Sequence, residues 1–149
     1  MFINLRFKHV FQLNIQCCNL RTMSDNSKTH GRDLEERTEK FAKMVRSFIK
    51  KLPRWFGTID DARQLMRSSG SVAANYSEAQ SAISRRDFIY RTRICKKEIR
   101  ESILWLRLLD NSLSSELELK RNELVKEAEE LTAIFTAINK KVERNVKEE

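Results

Sequence analysis

At 149 residues the chain suits one domain with one core. Its 40% apolar content, three glycines and one proline exclude disorder throughout and favour long helices over strands. Lysine and arginine number 29 against 21 acids, a formal charge of +8. That charge admits an acidic partner such as RNA, DNA or a membrane surface, and it equally fits a merely soluble protein.

Residues 1–30 differ from the rest. MFINLRFKHVFQLNIQCCNLRTM alternates loosely and reads as a strand or as a weak amphipathic helix. Arg6, Lys8, His9, Gln12, Asn14 and Gln16 interrupt any apolar core, so a signal peptide fits poorly. No run approaches the roughly 18 apolar residues of a membrane span. The segment is expected to be a poorly ordered extension. Alternatively translation starts at Met23, and residues 1–22 are not made. Cys17 and Cys18 are adjacent and Cys95 stands alone, which is neither a disulfide framework nor a metal pattern. A reducing compartment, the cytoplasm, is the simplest setting.

A first helix is expected over 33–52, with Leu34, Phe41, Val45, Phe48 and Leu52 as its apolar stripe. Acids at its start (Asp33, Glu35, Glu36) and bases at its end (Lys50, Lys51, Arg54) suit the helix dipole. Pro53 limits its continuation. Trp55 and Phe56 then plug one end of the core or mark a subunit contact. A second helix is expected over 60–82, with Ala62, Leu65, Met66, Ser69, Val72, Ala73, Tyr76 and Ala79 inward. Small residues from Ser68 to Ala74 would let a neighbour approach closely. The alternative is a break at 68–71.

The third helix, from Ser84 to Leu113, organises the chain. Phe88, Cys95, Ile99, Leu106 and Leu109 share one face, which Ile103 and Leu113 extend. Arg86, Arg93, Lys97, Arg100 and Arg107 fall on the opposite face. Ser84 can cap it, with Asp87 completing a capping box. Cys95 should be a small buried apolar residue. Ser115–Glu118 reads as the capping box of a fourth helix carrying Leu117, Leu124, Ala128, Leu131, Phe135, Ile138 and Val142, with Arg121 interrupting one position. This near-heptad pairs inside a bundle or extends to another subunit. Four long helices with short loops make an all-α, antiparallel up-and-down four-helix bundle over 31–149.

Catalytic chemistry lacks its usual groups. The two histidines, His9 and His30, lie outside the expected helices, so neither a di-iron pattern nor a zinc pattern forms. No phosphate loop or dinucleotide motif is present, and Cys95 has no partner base. Glu78, Glu98 and Glu101 are the remaining acid–base candidates; Glu98 and Glu101 read better as ion-pair partners of Lys97 and Arg100. No enzyme, cofactor or metal is expected. Arg67, Ser71, Asn75 and Glu78 are expected to form a structural polar cluster fixing helix register, because buried polar groups need partners; lining a ligand site is the alternative.

The best functional clue is the basic third helix. Residues 84–109 hold eight bases and three acids, and 32–54 hold eight bases and four acids. Arg85, Arg86, Arg93, Lys96, Lys97, Arg100 and Arg107 are placed to meet phosphates if their faces stay exposed. No recognition-helix motif accompanies them.

Four spaced segments carry a family resemblance: Arg67, Ser68 and Ser71; Asn75, Glu78 and Ala79; Ser84, Asp87 and Phe88; and Glu98, Ser102, Trp105 and Leu106. Their order and spacing resemble the signature of the small four-helix-bundle proteins linked to bacterial 23S ribosomal RNA intervening sequences. Residues 41–53 resemble that family's first helix, and the likeness spans about 41–113. The resemblance implies an up-down bundle that assembles into a ring, often a pentamer, with no established reaction. Related bundles accompany diversity-generating retroelements, where a basic ring is thought to bind nucleic acid and the reverse transcriptase. The expectation is therefore a non-enzymatic homo-oligomer whose basic surface binds RNA or DNA by charge and shape. The alternative is a structural adaptor for a protein partner, with an apolar patch near Trp55, Phe56 or Trp105.

Overall fold

The computed structural model of the chain describes residues 25–53, 56–109 and 114–147. The readings of residues 1–24, Trp55 and Leu113, and of the Phe56 side chain, lie outside that description. Four helices follow in order: α1 (Asp25–Ile49), α2 (Phe56–Gln80), α3 (Arg85–Leu108) and α4 (Ser115–Lys147). No strand occurs among the described residues.

The apolar stripes dictate the packing. Leu34, Phe41, Val45 and Phe48 of α1 are buried, as are Leu65, Val72, Tyr76 and Ala79 of α2. Cys95, Ile99 and Leu106 of α3 meet Leu124, Ala128, Leu131, Phe135, Ile138 and Val142 of α4 in the same core. Tyr76 and Phe135 pack edge to face, with ring centroids 5.4 Å apart. The near-heptad of α4 is thus spent inside its own bundle. Cross-helix bonds join late residues of one helix to early residues of its neighbour, which defines the antiparallel course. Lys51 meets Glu116, Arg91 meets Glu78, and Arg93 meets Glu143. Of the four interfaces between neighbouring helices, α2–α3 is the most extensive and α1–α4 the slightest.

Several boundaries and faces differ from expectation. Helix α1 begins eight residues before Asp33, because residues 25–33 carry no apolar stripe that periodicity could reveal. Asp33, Glu35 and Glu36 therefore lie beyond the first turn, where the dipole has faded. Leu52 is buried although it follows the helix. Helix α2 runs unbroken through 68–71. Ser68 and Ser69 return their hydroxyls to the carbonyls of Leu65 and Met66, both at 3.3 Å. That local bonding satisfies them without breaking the ladder. Met66 faces solvent rather than the core, and Ala73 is half-buried. On α3 the buried face is Ile89, Thr92, Cys95, Ile99, Ser102 and Leu106, while Phe88 and Ile103 only flank it.

The caps set each helix's rotational start. Ser84 is extended at φ −150° and its hydroxyl accepts from the Asp87 amide at 3.1 Å. Asp87 completes the box one residue early, accepting from the Ile83 amide at 3.4 Å rather than from Ser84. At α4 the cap is Ser114, not Ser115: its hydroxyl accepts from the Leu117 amide at 3.4 Å. Arg121 occupies its core-side position to hold the preceding loop. Its guanidinium donates to the carbonyl of Leu109 at 3.2 Å and to Glu118 at 3.1 Å. An orphan carbonyl at the end of α3 is thereby satisfied by α4.

Candidate nucleic-acid interface

With Ile99 and Cys95 pinned inward, the rotation of α3 is fixed. Arg86, Arg93, Lys97, Arg100 and Arg107 are all exposed, and Arg85 and Lys96 are half-buried along the edge. The seven bases thus share one helix and one broad side of it. They are not equivalent electrostatically. Arg93 is held by Glu143 at 2.8 Å and Arg107 by Glu129 at 2.9 Å, so α4 neutralises the near edge. Among the described residues, Arg86, Lys96, Lys97 and Arg100 make no ion pair. Of these, Arg86, Lys97 and Arg100 are exposed to water.

Sequence reasoning missed the apolar members of this face. Tyr90, Leu104 and Leu108 are 60%, 51% and 53% exposed. The spacing 90, 97, 104, 108 is the register of one outward stripe, a signal the basic residues masked. Arg91 lies 5.9 Å from the Tyr90 ring centroid and also pairs with Glu78 of α2 and, at 3.7 Å, with Asp87. Trp105 is partly buried and donates its indole N–H to Glu101 at 3.2 Å, so it is not an exposed patch.

The remaining polar residues act structurally. Asn75 donates to the Ser71 carbonyl at 2.9 Å and to its hydroxyl at 3.2 Å, within α2. Glu78 turns away from that pair to Arg91, and Arg67 is exposed. Of the four residues of the expected cluster, which share one face of α2 by their spacing, Ser71 and Asn75 bond to each other. The polar contacts inside the core are others. Ser68 and Ser102 share a hydrogen bond at 2.8 Å, and the Thr92 hydroxyl meets Asn139 Oδ1 at 2.7 Å. Lys97 and Arg100 do not pair with Glu98 or Glu101: the adjacent residues point apart on the helix, and Glu101, one turn from Lys97, accepts from the Trp105 indole instead.

Cys95 is fully buried and donates weakly to the Val72 carbonyl at 3.6 Å. Burial pushes its thiol up to about 12. A group so placed is neither a nucleophile nor a ready ligand. No group of three His, Cys, Asp or Glu side chains is set to hold a metal among the described residues. No helix among them is long and apolar enough to cross a membrane.

Comparison with known proteins agrees with this architecture. No curated protein matches the chain. One solved structure, a protein of unknown function from the S23 ribosomal protein family of Bacteroides thetaiotaomicron, superposes with a TM-score of 0.64 at 27% identity, covering 74% of this chain and 97% of that one. The family model described as 23S rRNA-intervening sequence protein matches residues 32–137, which takes in all of α2 and α3 and most of α1 and α4. This chain, a four-helix bundle built around a basic third helix, belongs to the 23S rRNA-intervening sequence protein family.

Proposed function

We propose that the protein is a non-enzymatic homo-oligomer that binds RNA or DNA through the basic side of α3, by charge and shape rather than by base readout. The observation that carries this reading is the row of α3 cations, Arg86, Lys96, Lys97 and Arg100, without ion pairs among the described residues. Phosphates released from their counterions supply affinity to such a row. Family membership, with its link to ribosomal RNA intervening sequences, supports RNA as the first substrate to try. Tyr90, Leu104 and Leu108 supply an apolar strip for contact between copies. Assembly into a ring, pentameric by family analogy, would set basic edges side by side, so that weak contacts sum. A reverse transcriptase is a further partner by the same analogy.

The test is binding of the full chain to structured ribosomal RNA at low and high salt, followed by size-exclusion chromatography with light scattering. The wild-type chain should bind at low salt and release at high salt. Arg93→Glu/Lys97→Glu/Arg100→Glu should abolish binding with helicity intact; unchanged affinity would sink the α3 site. A protein adaptor is the second reading, favoured by the same exposed Tyr90, Leu104 and Leu108. It predicts an oligomer that never shifts with RNA at any salt.

A further inference from the structure

The slight α1–α4 interface leaves a groove of about 330 Å³. Its lining is unusual for a seam between two helices of a bundle. Four lysines, Lys40, Lys43, Lys51 and Lys120, stand around it against a single acid, Glu123. Beneath them Met44, Phe48 and Leu124 form an apolar floor, of which Met44 is the accessible part and the other two are core residues. The lysines that pair do so weakly, at the surface: Lys43 with Glu39 at 3.0 Å, Lys51 with Glu116 at 3.3 Å, and Lys120 with Glu123 at 2.9 Å. Exposed pairs of this kind contribute about 0–1 kcal/mol, so a phosphate can replace the carboxylate at little cost. Lys40 makes no ion pair among the described residues.

We propose that this groove holds a short single-stranded nucleic acid segment, its phosphates on Lys40, Lys43, Lys51 and Lys120 and a base laid on Met44. The inference rests on the nucleic-acid reading above and adds a contact on the seam between α1 and α4, away from the α3 row. The geometry fits that ligand class. Lys40 to the end of α1 at Ile49 is about 14 Å of helix, the run of roughly four stacked nucleotides at ~3.4 Å each, and Lys51 stands two residues beyond it. Cations above an apolar floor match a chain that alternates phosphates with flat apolar faces. An acidic peptide would satisfy the lysines and leave the floor unused.

The experiment is fluorescence anisotropy of a labelled uridine dodecamer with the full chain at about 50 and 200 mM salt, with an oligoglutamate of matched charge as the competing probe. Lys40→Gln/Lys43→Gln/Lys51→Gln/Lys120→Gln, all exposed positions, should keep wild-type helicity and lose at least tenfold in affinity at low salt. Its salt slope should be smaller by about 3, the share of four phosphate contacts on a single strand. A 4-thiouridine placed mid-strand should cross-link the wild-type chain within residues 44–48. If the wild-type chain binds no dodecamer at either salt, the nucleic-acid reading falls and the groove with it. If it binds, but the fourfold variant keeps its affinity and slope, or cross-links are confined to α3, the groove alone is overturned. Oligoglutamate displacing the dodecamer at equal concentration also overturns the nucleotide assignment.

Discussion

Cys95 shows how strongly one position can be governed by its surroundings. The thiol is fully buried and its sulfur has only the Val72 carbonyl to meet, so the thiolate is penalised. The folded chain holds the proton until about 12, whereas an ordinary thiol ionises near 9.0. Because the folded value is raised, Cys95 favours the native state fully below 9.0, and that contribution fades as pH rises from 9.0 towards 12. Urea melts should show stability declining across that alkaline window, and Cys95→Ala should flatten the decline while lowering stability at neutral pH. The native thiol should also resist alkylation at pH values where the unfolded chain reacts. Thr92 and Ser102 tell a related story. Each sits on the apolar face of α3 with its hydroxyl within hydrogen-bonding distance of a carbonyl of its own helix and of a neighbouring side chain, Asn139 or Ser68. Such pairs discriminate among helix registers, since a shift by one turn would strand a buried polar group at a cost of about 1–3 kcal/mol.

At the scale of the element, caps decide where helices begin, and their beginnings decide what they present. Ser84 fixes α3 through its bond to the Asp87 amide. Ser84→Ala should cost about 0.5–2 kcal/mol, read by denaturant unfolding, with faster amide exchange confined to the first turn of α3. Four helices, the core stripes of α1 and α4 and the cap at Ser84 were legible in the sequence, because each leaves a periodic or local mark. The start of α1 was not, since a polar helix turn has no stripe. The continuous second helix was legible too; the alternative of a break at 68–71 fails because each buried hydroxyl there bonds back along the helix or across to α3. Ile89 and Thr92 were missed on α3 because Phe88 is larger and more apolar than its neighbours, but it stands at the frayed edge of the stripe, only partly buried. The basic residues of α3 were visible as charges. Which of them α4 neutralises was not, because Glu129 and Glu143 reach Arg107 and Arg93 only once the two helices are antiparallel.

Across the whole molecule, charge is sorted by the seams. Acids of α4 bind bases on both neighbours: Glu127 and Glu130 hold Arg37 of α1, each at 2.7 Å, and the Glu127 hydrogen bond is the main reason the Arg37 guanidinium is held still more firmly protonated. Bases without an ion pair among the described residues include Arg86, Lys96, Lys97 and Arg100 on the outward side of α3 and Lys40 at the α1–α4 groove. The outward side of α3 also bears Tyr90, Leu104 and Leu108, more exposed apolar surface than a helix with no partner needs. Tyr90→Lys/Leu108→Lys should reduce the particle mass measured by light scattering while leaving the monomer fold within about 0.5 kcal/mol of wild type. An unchanged mass would remove this strip as the contact between copies.

The weakness of the α1–α4 seam has a consequence for how the bundle breathes. Helices α2 and α3 hold each other along their most extensive interface, and Arg121 clips the start of α4 to the end of α3. Helix α1 leans on α2 and touches α4 least. Cooperative units open in order of the contacts they must break, so α1 is the flap of this molecule and the other three helices are its frame. A strand lying in the groove would touch flap and frame together. Its binding free energy would then be added to the cost of opening, and the bundle would be most tightly shut when loaded.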